Sequence, residues 1–162
     1  MKSVYKRENL PYSYMEKFIN YLLTSPTDLI ILLAAVAALV PIGEVIIGAM
    51  TRRRILNGKW YSSGQVSNIQ NRPGCYVITI WNDGKIENVY AGQSVDVQSR
   101  IKEHLSGHGN KKVYQDILRN KEIRIYPVYC RAKRMNRLEK KLIRSFRARK
   151  SYNIQRGGAK RR

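Results

Sequence analysis

The amino-acid sequence predicts an α/β (α+β) fold, a small and mainly three-stranded antiparallel sheet flanked by helices, preceded by a single hydrophobic helix. Three observations predict it. One long apolar run, Leu29 to Met50, stands apart from everything after it; two β-rich runs are joined by an Asp-Gly pair; and the later periodic stretches read helix, short helix, strand, helix.

Leu29 to Met50 reads LIILLAAVAALVPIGEVIIGAM, 22 residues whose one charge is Glu44. At about 1.5 Å per residue, a helix of that length reaches across a hydrocarbon core of about 30 Å. Its entry is marked by Ser25 as a cap, Pro26 at the first helical position and Asp28 in the first turn. Pro41 with Gly43 is expected to kink or loosen it. The rival readings are a signal peptide and a buried or interfacial helix. Secretion is the weaker one, because 28 mixed residues come first and Arg52, Arg53 and Arg54 follow the run. The basic C-terminal flank predicts a single pass through the cell (inner) membrane with the following domain in the cytoplasm.

From Thr51 to Pro73 the composition turns polar, as expected of a tether. Cys75 to Trp81 and Glu87 to Ala91 are β-rich, and Asn82-Asp83-Gly84-Lys85 between them is a hairpin signal. Asp96 to Leu105 has helical spacing, a shorter helix is expected near Val113 to Arg119, Glu122 to Cys130 reads as a third strand, and Asn136 to Arg147 as a last helix. The expected organisation is an N-terminal segment (1–28), a transmembrane helix (29–50), a linker (51–72), a folded domain (73–155) and a basic tail (156–162).

A formal charge of +20 points to a polyanionic partner, nucleic acid or an anionic lipid surface. Residues 51–162 hold 27 basic against seven acidic side chains, so the C-terminal part carries essentially the whole excess. Cys75 and Cys130 lie in no paired metal-ligand spacing, which argues against a zinc ribbon or a disulfide scaffold and for two reduced core thiols.

The last helix carries an acid in an unusual place. At about 100° per residue, with Leu138 at the origin, Leu142, Phe146 and Ile143 sweep an apolar arc and Glu139 falls inside it, while Lys140, Lys141, Arg144 and Arg147 take the opposite side. A carboxylate there is costly unless it is paired or holds a metal; the plain alternative is neutralisation by a structural arginine. On the earlier helix, Arg100 and His104 line one edge of the face made by Val97, Ile101 and Leu105. Taken alone, Tyr76 and Tyr90 are core tyrosines and His104 a satisfied helix-edge histidine. His104 and His108 have i, i+4 spacing, but Gly107 and Gly109 argue against a zinc pair.

Together these residues resemble a known family. Gly74-Cys75-Tyr76 on the first strand and Tyr90-Ala91-Gly92-Gln93-Ser94 ending the second resemble the two halves of the GIY-YIG nuclease signature, with Cys75 and Ala91 replacing the middle residue of each triplet. The resemblance continues through Arg100, His104, Glu139 and Tyr152-Asn153, covering about half the chain. It implies phosphodiester hydrolysis with Mg2+ or Mn2+ held by Glu139, Arg100 donating to the non-bridging oxygens, Tyr76 accepting the proton of the attacking water, Tyr90 and His104 positioning it or relaying the proton, and Asn153 bracing the site. Nucleic-acid contact is expected from Lys102, Lys111, Lys112, Lys140, Lys141, Arg144 and the tail.

No recognition helix or zinc finger accompanies the domain, so cutting of DNA with low sequence specificity is expected. The leading biological reading is a membrane-anchored, metal-dependent endonuclease acting on incoming foreign DNA, a phage-defence role. The alternatives are a catalytically silent membrane-attached module binding nucleic acid, and a soluble-type repair or mobile-element nuclease.

Overall fold

A computed structural model describes residues 12–24 and 26–153. The chain divides into two compact units, Met1–Glu44 and Val45–Arg162. In the first, helix α1 (Tyr12–Thr24) precedes helix α2 (Pro26–Leu56), whose last turns belong to the second unit. Ser25, expected as a cap, and the basic tail lie outside the described residues.

Helix α2 begins on Pro26 with Asp28 in its first turn and ends with Arg53 and Arg54 in its last, charges that suit the two ends of a helix dipole. It is continuous through Pro41 and Gly43, where loosening was expected. Ile30, Leu33, Leu39 and Ile42 are each more than half exposed, and the Thr27–Leu56 stretch is long and apolar enough to cross a membrane. A helix apolar on all sides needs an apolar solvent or a protein core around it.

The second unit is built on strands β1 (Gly74–Asn82), β2 (Lys85–Ser94) and β3 (Glu122–Tyr129), antiparallel in the order β2-β1-β3. The β1–β2 hairpin turns at Asp83 and Gly84, both with positive φ (49° and 72°), the conformation that makes Asp-Gly a hairpin signal. Helix α3 (Val97–Leu105) starts where the Asp96 side chain accepts from Ser99 N–H at 2.9 Å, and α4 (Lys111–Leu118) where the Asn110 side chain accepts from Lys112 and Val113 N–H. Helix α5 (Ala132–Ser145) follows β3, beginning a turn earlier than expected.

β1 is central and apolar on both faces. Tyr76, Ile78 and Ile80 pack on one side with Val97, Ile101 and Val113 of α3 and α4; Cys75 and Val77 pack on the other with Leu142 and Ile143 of α5 and with Ile55 and Leu56 of α2. The stretch 51–72, expected as a tether, is part of this architecture. Its first residues continue α2, Tyr61 pairs with Ile125 beside β3, and a 3-10 turn at Ser63–Asn68 sends Val66 and Ile69 into the core. Isolated apolar residues in a polar run have no period to reveal them; only the tertiary contact does. Cys75 is buried and Cys130 half-buried, both as free thiols.

After α5 the chain turns through Arg147 (φ 51°) and runs back along the outer edge of β2. Tyr152 N–H donates to Val89 O at 3.2 Å, Val89 N–H to Ser151 Oγ at 2.8 Å, and Asn153 makes both bonds of a ladder rung with Ala91. The open edge of the sheet is thereby covered.

Candidate functional site

The pairing register decides which side chains meet. Tyr76 faces Gly92 and Tyr90 faces Ile78 across the β1–β2 ladder, so both tyrosines project to the face covered by α3, their ring centroids 6.2 Å apart. Gly92 makes that possible: a Cβ there would stand 2.5 Å from Tyr76 Oη and 3.1 Å from Tyr90 Cε1. Gly74 has a different reason, since a Cβ would lie 2.7 Å from Val128 O on the neighbouring strand.

His104, fully buried on α3, completes an aromatic cluster, with its ring centroid 4.8 Å from Tyr90 and 5.7 Å from Tyr76. Its Nδ1 accepts from Asn110 N–H at 2.7 Å, and its Nε2 lies 2.8 Å from Tyr76 Oη. An imidazole accepting at Nδ1 carries its proton on Nε2, so His104 donates to the Tyr76 oxygen. Burial, with the Arg100 charge next, lowers the His104 pKa to about 4, which keeps the ring neutral at pH 7 in that tautomer. The approach of Asn110 depends on Gly109, where a Cβ would collide with the imidazole.

Burial raises both phenols above their usual range. For Tyr76 the rise is large, and the neighbouring Tyr90 adds to it while Arg100 opposes it. For Tyr90, half-buried on the edge strand, Arg100 again lowers, Glu139 raises, and the Tyr76 hydroxyl favours the ionised form. The hydrogen bond in the cluster runs from His104 to Tyr76, with the Tyr90 ring alongside. Tyr76 is 1% exposed, whereas Tyr90 is half-buried and the more exposed of the two phenols.

Arg100, on the same helix, interacts with both tyrosines and forms an ion pair with Glu103, one turn on and half-exposed. An exposed i, i+3 pair of this kind contributes about 0–1 kcal/mol, so an arriving anion can displace it at little cost. Glu139 is half-buried on α5, whose apolar side covers the opposite face of the sheet, and its charge acts on Tyr90 and Cys75. Tyr90 thus feels charges carried by helices on both faces of the sheet. Asn153 Oδ1 accepts from Ala91 N–H at 2.9 Å and its Nδ2 donates to Ala91 O at 2.7 Å, bracing the residue next to Tyr90.

Among the described residues no group of three or more His, Cys, Asp or Glu side chains could hold a metal. A transition metal needing several protein ligands does not fit. A hard cation that keeps water and binds substrate phosphate needs only one or two carboxylates, and that fits Glu139. A second hard oxygen lies nearby along the elements: Gln93 Oε1 is buried without a hydrogen-bond partner, and its amide nitrogen donates at 2.6 Å to Asn136, three residues before Glu139.

The six cations expected at nucleic acid are all exposed, in two groups. Lys102, Lys111 and Lys112 lie on α3 and α4, covering one face of the sheet; Lys140, Lys141 and Arg144 lie on α5, covering the other. Lys112 Nζ rests 5.7 Å above the Tyr152 ring. His108 stays apart from His104 and meets Ser106 Oγ at 3.0 Å.

Several contributors escaped the sequence reading. Asp116, almost fully buried, accepts from the Tyr152 hydroxyl and pairs with Lys121 at 3.4 Å, tying α4 to the segment that braces β2. Gly92, Gly109, the Asn110 amide and Gln93 act through space that only the folded chain defines. Tyr152-Asn153 and the Tyr-Ala-Gly-Gln run were the available signals.

Compared with known families, the family model of the GIY-YIG catalytic domain matches residues 72–153. No curated protein and no solved structure matches the chain.

Proposed function

The chain belongs to the GIY-YIG family, and on that ground we propose that it is a membrane-anchored endonuclease that hydrolyses DNA with low sequence specificity and a divalent metal, Mg2+ or Mn2+. The observation that carries this reading is the cluster of Tyr76, Tyr90 and His104, ring centroids 4.8–6.2 Å apart and joined by a Tyr76–His104 hydrogen bond of 2.8 Å, with His104 on the helix that also carries Arg100.

In this reading Glu139 holds the metal, which when bound supplies charge neutralisation at the phosphate and leaving oxygen. Arg100 leaves Glu103 and donates its planar pair of N–H groups to the non-bridging oxygens. The general-base role expected of Tyr76 is assigned to Tyr90 in this reading, because Tyr76 is 1% exposed. His104 positions Tyr76 by donating to its oxygen, and Tyr76 in turn supports charge on Tyr90; Asn153 holds the edge strand. Lys102, Lys111, Lys112, Lys140, Lys141 and Arg144 contact phosphates, which bring affinity without sequence information.

Membrane attachment through α2 is supported by its length and its exposed apolar surface on all sides, with the catalytic domain, residues 73–155, in the cytoplasm on the strength of Arg52, Arg53 and Arg54. A nuclease held there and contacting mainly phosphates suits attack on foreign DNA as it enters. Plasmid cutting with Mg2+ and with chelator, by the wild type, Glu139→Ala and Arg100→Ala, tests the chemistry. Nicking that needs the metal and is lost in both variants is expected; equal nicking by all three removes the claim. Retention of the full chain in membranes after high-salt washing tests the anchor.

A further inference from the structure

The second unit begins at Val45, so the last turns of α2 belong to the body that carries the site. Ile55 and Leu56 pack into its core, and Gly48 lies against α5, a Cβ there standing 3.8 Å from Ser145 Cα. The residues between are of two kinds. Val45, Ile46, Ile47 and Met50 are each more than half exposed, while Arg52, Arg53 and Arg54 follow within two turns, also exposed.

On the α5 side of the same contact, the chain turns tightly. Phe146 and Ala148 are buried, Arg147 N–H donates to Arg144 O, Lys150 N–H to Arg147 O and Asn153 N–H to Ala148 O. This anchored turn displays Arg147, Arg149 and Lys150 to solvent within five residues of Ser145. An exposed apolar band bordered by six cations from two elements has the two-part chemistry of a bilayer surface, acyl chain beside anionic headgroup. DNA offers no partner for the apolar band.

We propose that the Gly48–Ser145 junction, with Arg52, Arg53, Arg54, Arg147, Arg149 and Lys150 around it, is an anionic-phospholipid headgroup site that seats the catalytic unit on the membrane. It rests on the membrane reading above and adds to it a preference for negatively charged lipid.

The test uses the full chain in neutral detergent, titrated with phosphatidylglycerol or phosphatidylcholine while its melting temperature and retained lipids are followed. Arg147→Gln/Arg149→Gln/Lys150→Gln is compared with Lys133→Gln/Arg134→Gln, at the far end of α5. The wild type and the α5-start variant are expected to be stabilised by phosphatidylglycerol and not by phosphatidylcholine. The triple variant is expected to need on the order of 100-fold more phosphatidylglycerol, at about fivefold per cation, with its melting temperature in detergent alone unchanged. Equal response of the wild type to both lipids, or an unaltered response in the triple variant, overturns the site, as does a triple variant that loses DNA affinity alone. Flotation with phosphatidylcholine vesicles reads α2 separately: failure to float sinks the membrane reading, whereas floating without headgroup preference sinks only this site.

Discussion

Replacing Gly92 by alanine tests the packing of the site through a single methyl group. The new Cβ would meet Tyr76 Oη at 2.5 Å, Tyr76 Cζ at 2.7 Å and Tyr90 Cε1 at 3.1 Å, so the Tyr76 ring must withdraw by roughly 1 Å to reach ordinary van der Waals separation. The ring cannot swing into solvent, because it is 1% exposed and its hydroxyl is held by His104 at 2.8 Å. Overpacking of this kind costs about 1–3 kcal/mol, and loss of the His104 bond adds about 1 kcal/mol. Displacing the phenols by that distance is expected to slow cleavage by about 100-fold. Chemical denaturation reads the first effect and single-turnover cleavage of a DNA duplex the second. A Gly92→Ala protein with stability within about 0.5 kcal/mol of the wild type and unchanged cleavage would refute the argument that this glycine exists to make room for Tyr76.

Four further outcomes are expected. Tyr90→Phe should lower the single-turnover rate by at least about 100-fold, and Tyr76→Phe should lower it less, since Tyr90 is the more exposed phenol; the reverse order, measured on the same duplex, would return the base role to Tyr76. Stability should fall as pH drops from about 6.5 toward 4, by on the order of 3 kcal/mol: His104 takes up its proton in the unfolded chain before it does so in the folded one, and urea titrations of wild type and His104→Asn should differ by that slope. Asp116→Asn and Tyr152→Phe should each cost about 1–3 kcal/mol in thermal or denaturant unfolding, with little additivity between them because they break the same partly buried bond. Removing divalent metal with chelator should stop cleavage and leave the far-ultraviolet spectrum unchanged, because the core closes around apolar side chains and needs no ion.

Much of the fold was legible because its signals are local. The Asp83-Gly84 turn and the two-residue alternation that sends Tyr76 and Tyr90 to one face are written in adjacent residues. Helical period likewise placed Glu139 on the inner side of α5, where it is half-buried. What remained hidden depends on distant contact. Val66 and Ile69 enter the core from a polar run, Asn110 offers its amide to His104 only because Gly109 has no Cβ to strike the imidazole, and the unequal exposure of the two tyrosines follows from the central place of β1 and the edge place of β2. The sequence could pair the phenols but could not rank them.

In the proposed mechanism Glu139 holds the metal that DNA cutting requires. Single-turnover cleavage at saturating Mg2+, comparing the wild type with Glu139→Gln, reads it most directly. A loss of at least about 1,000-fold with an unchanged melting temperature is what this account requires. A Glu139→Gln protein that is equally stable and cuts within tenfold of the wild-type rate would contradict it.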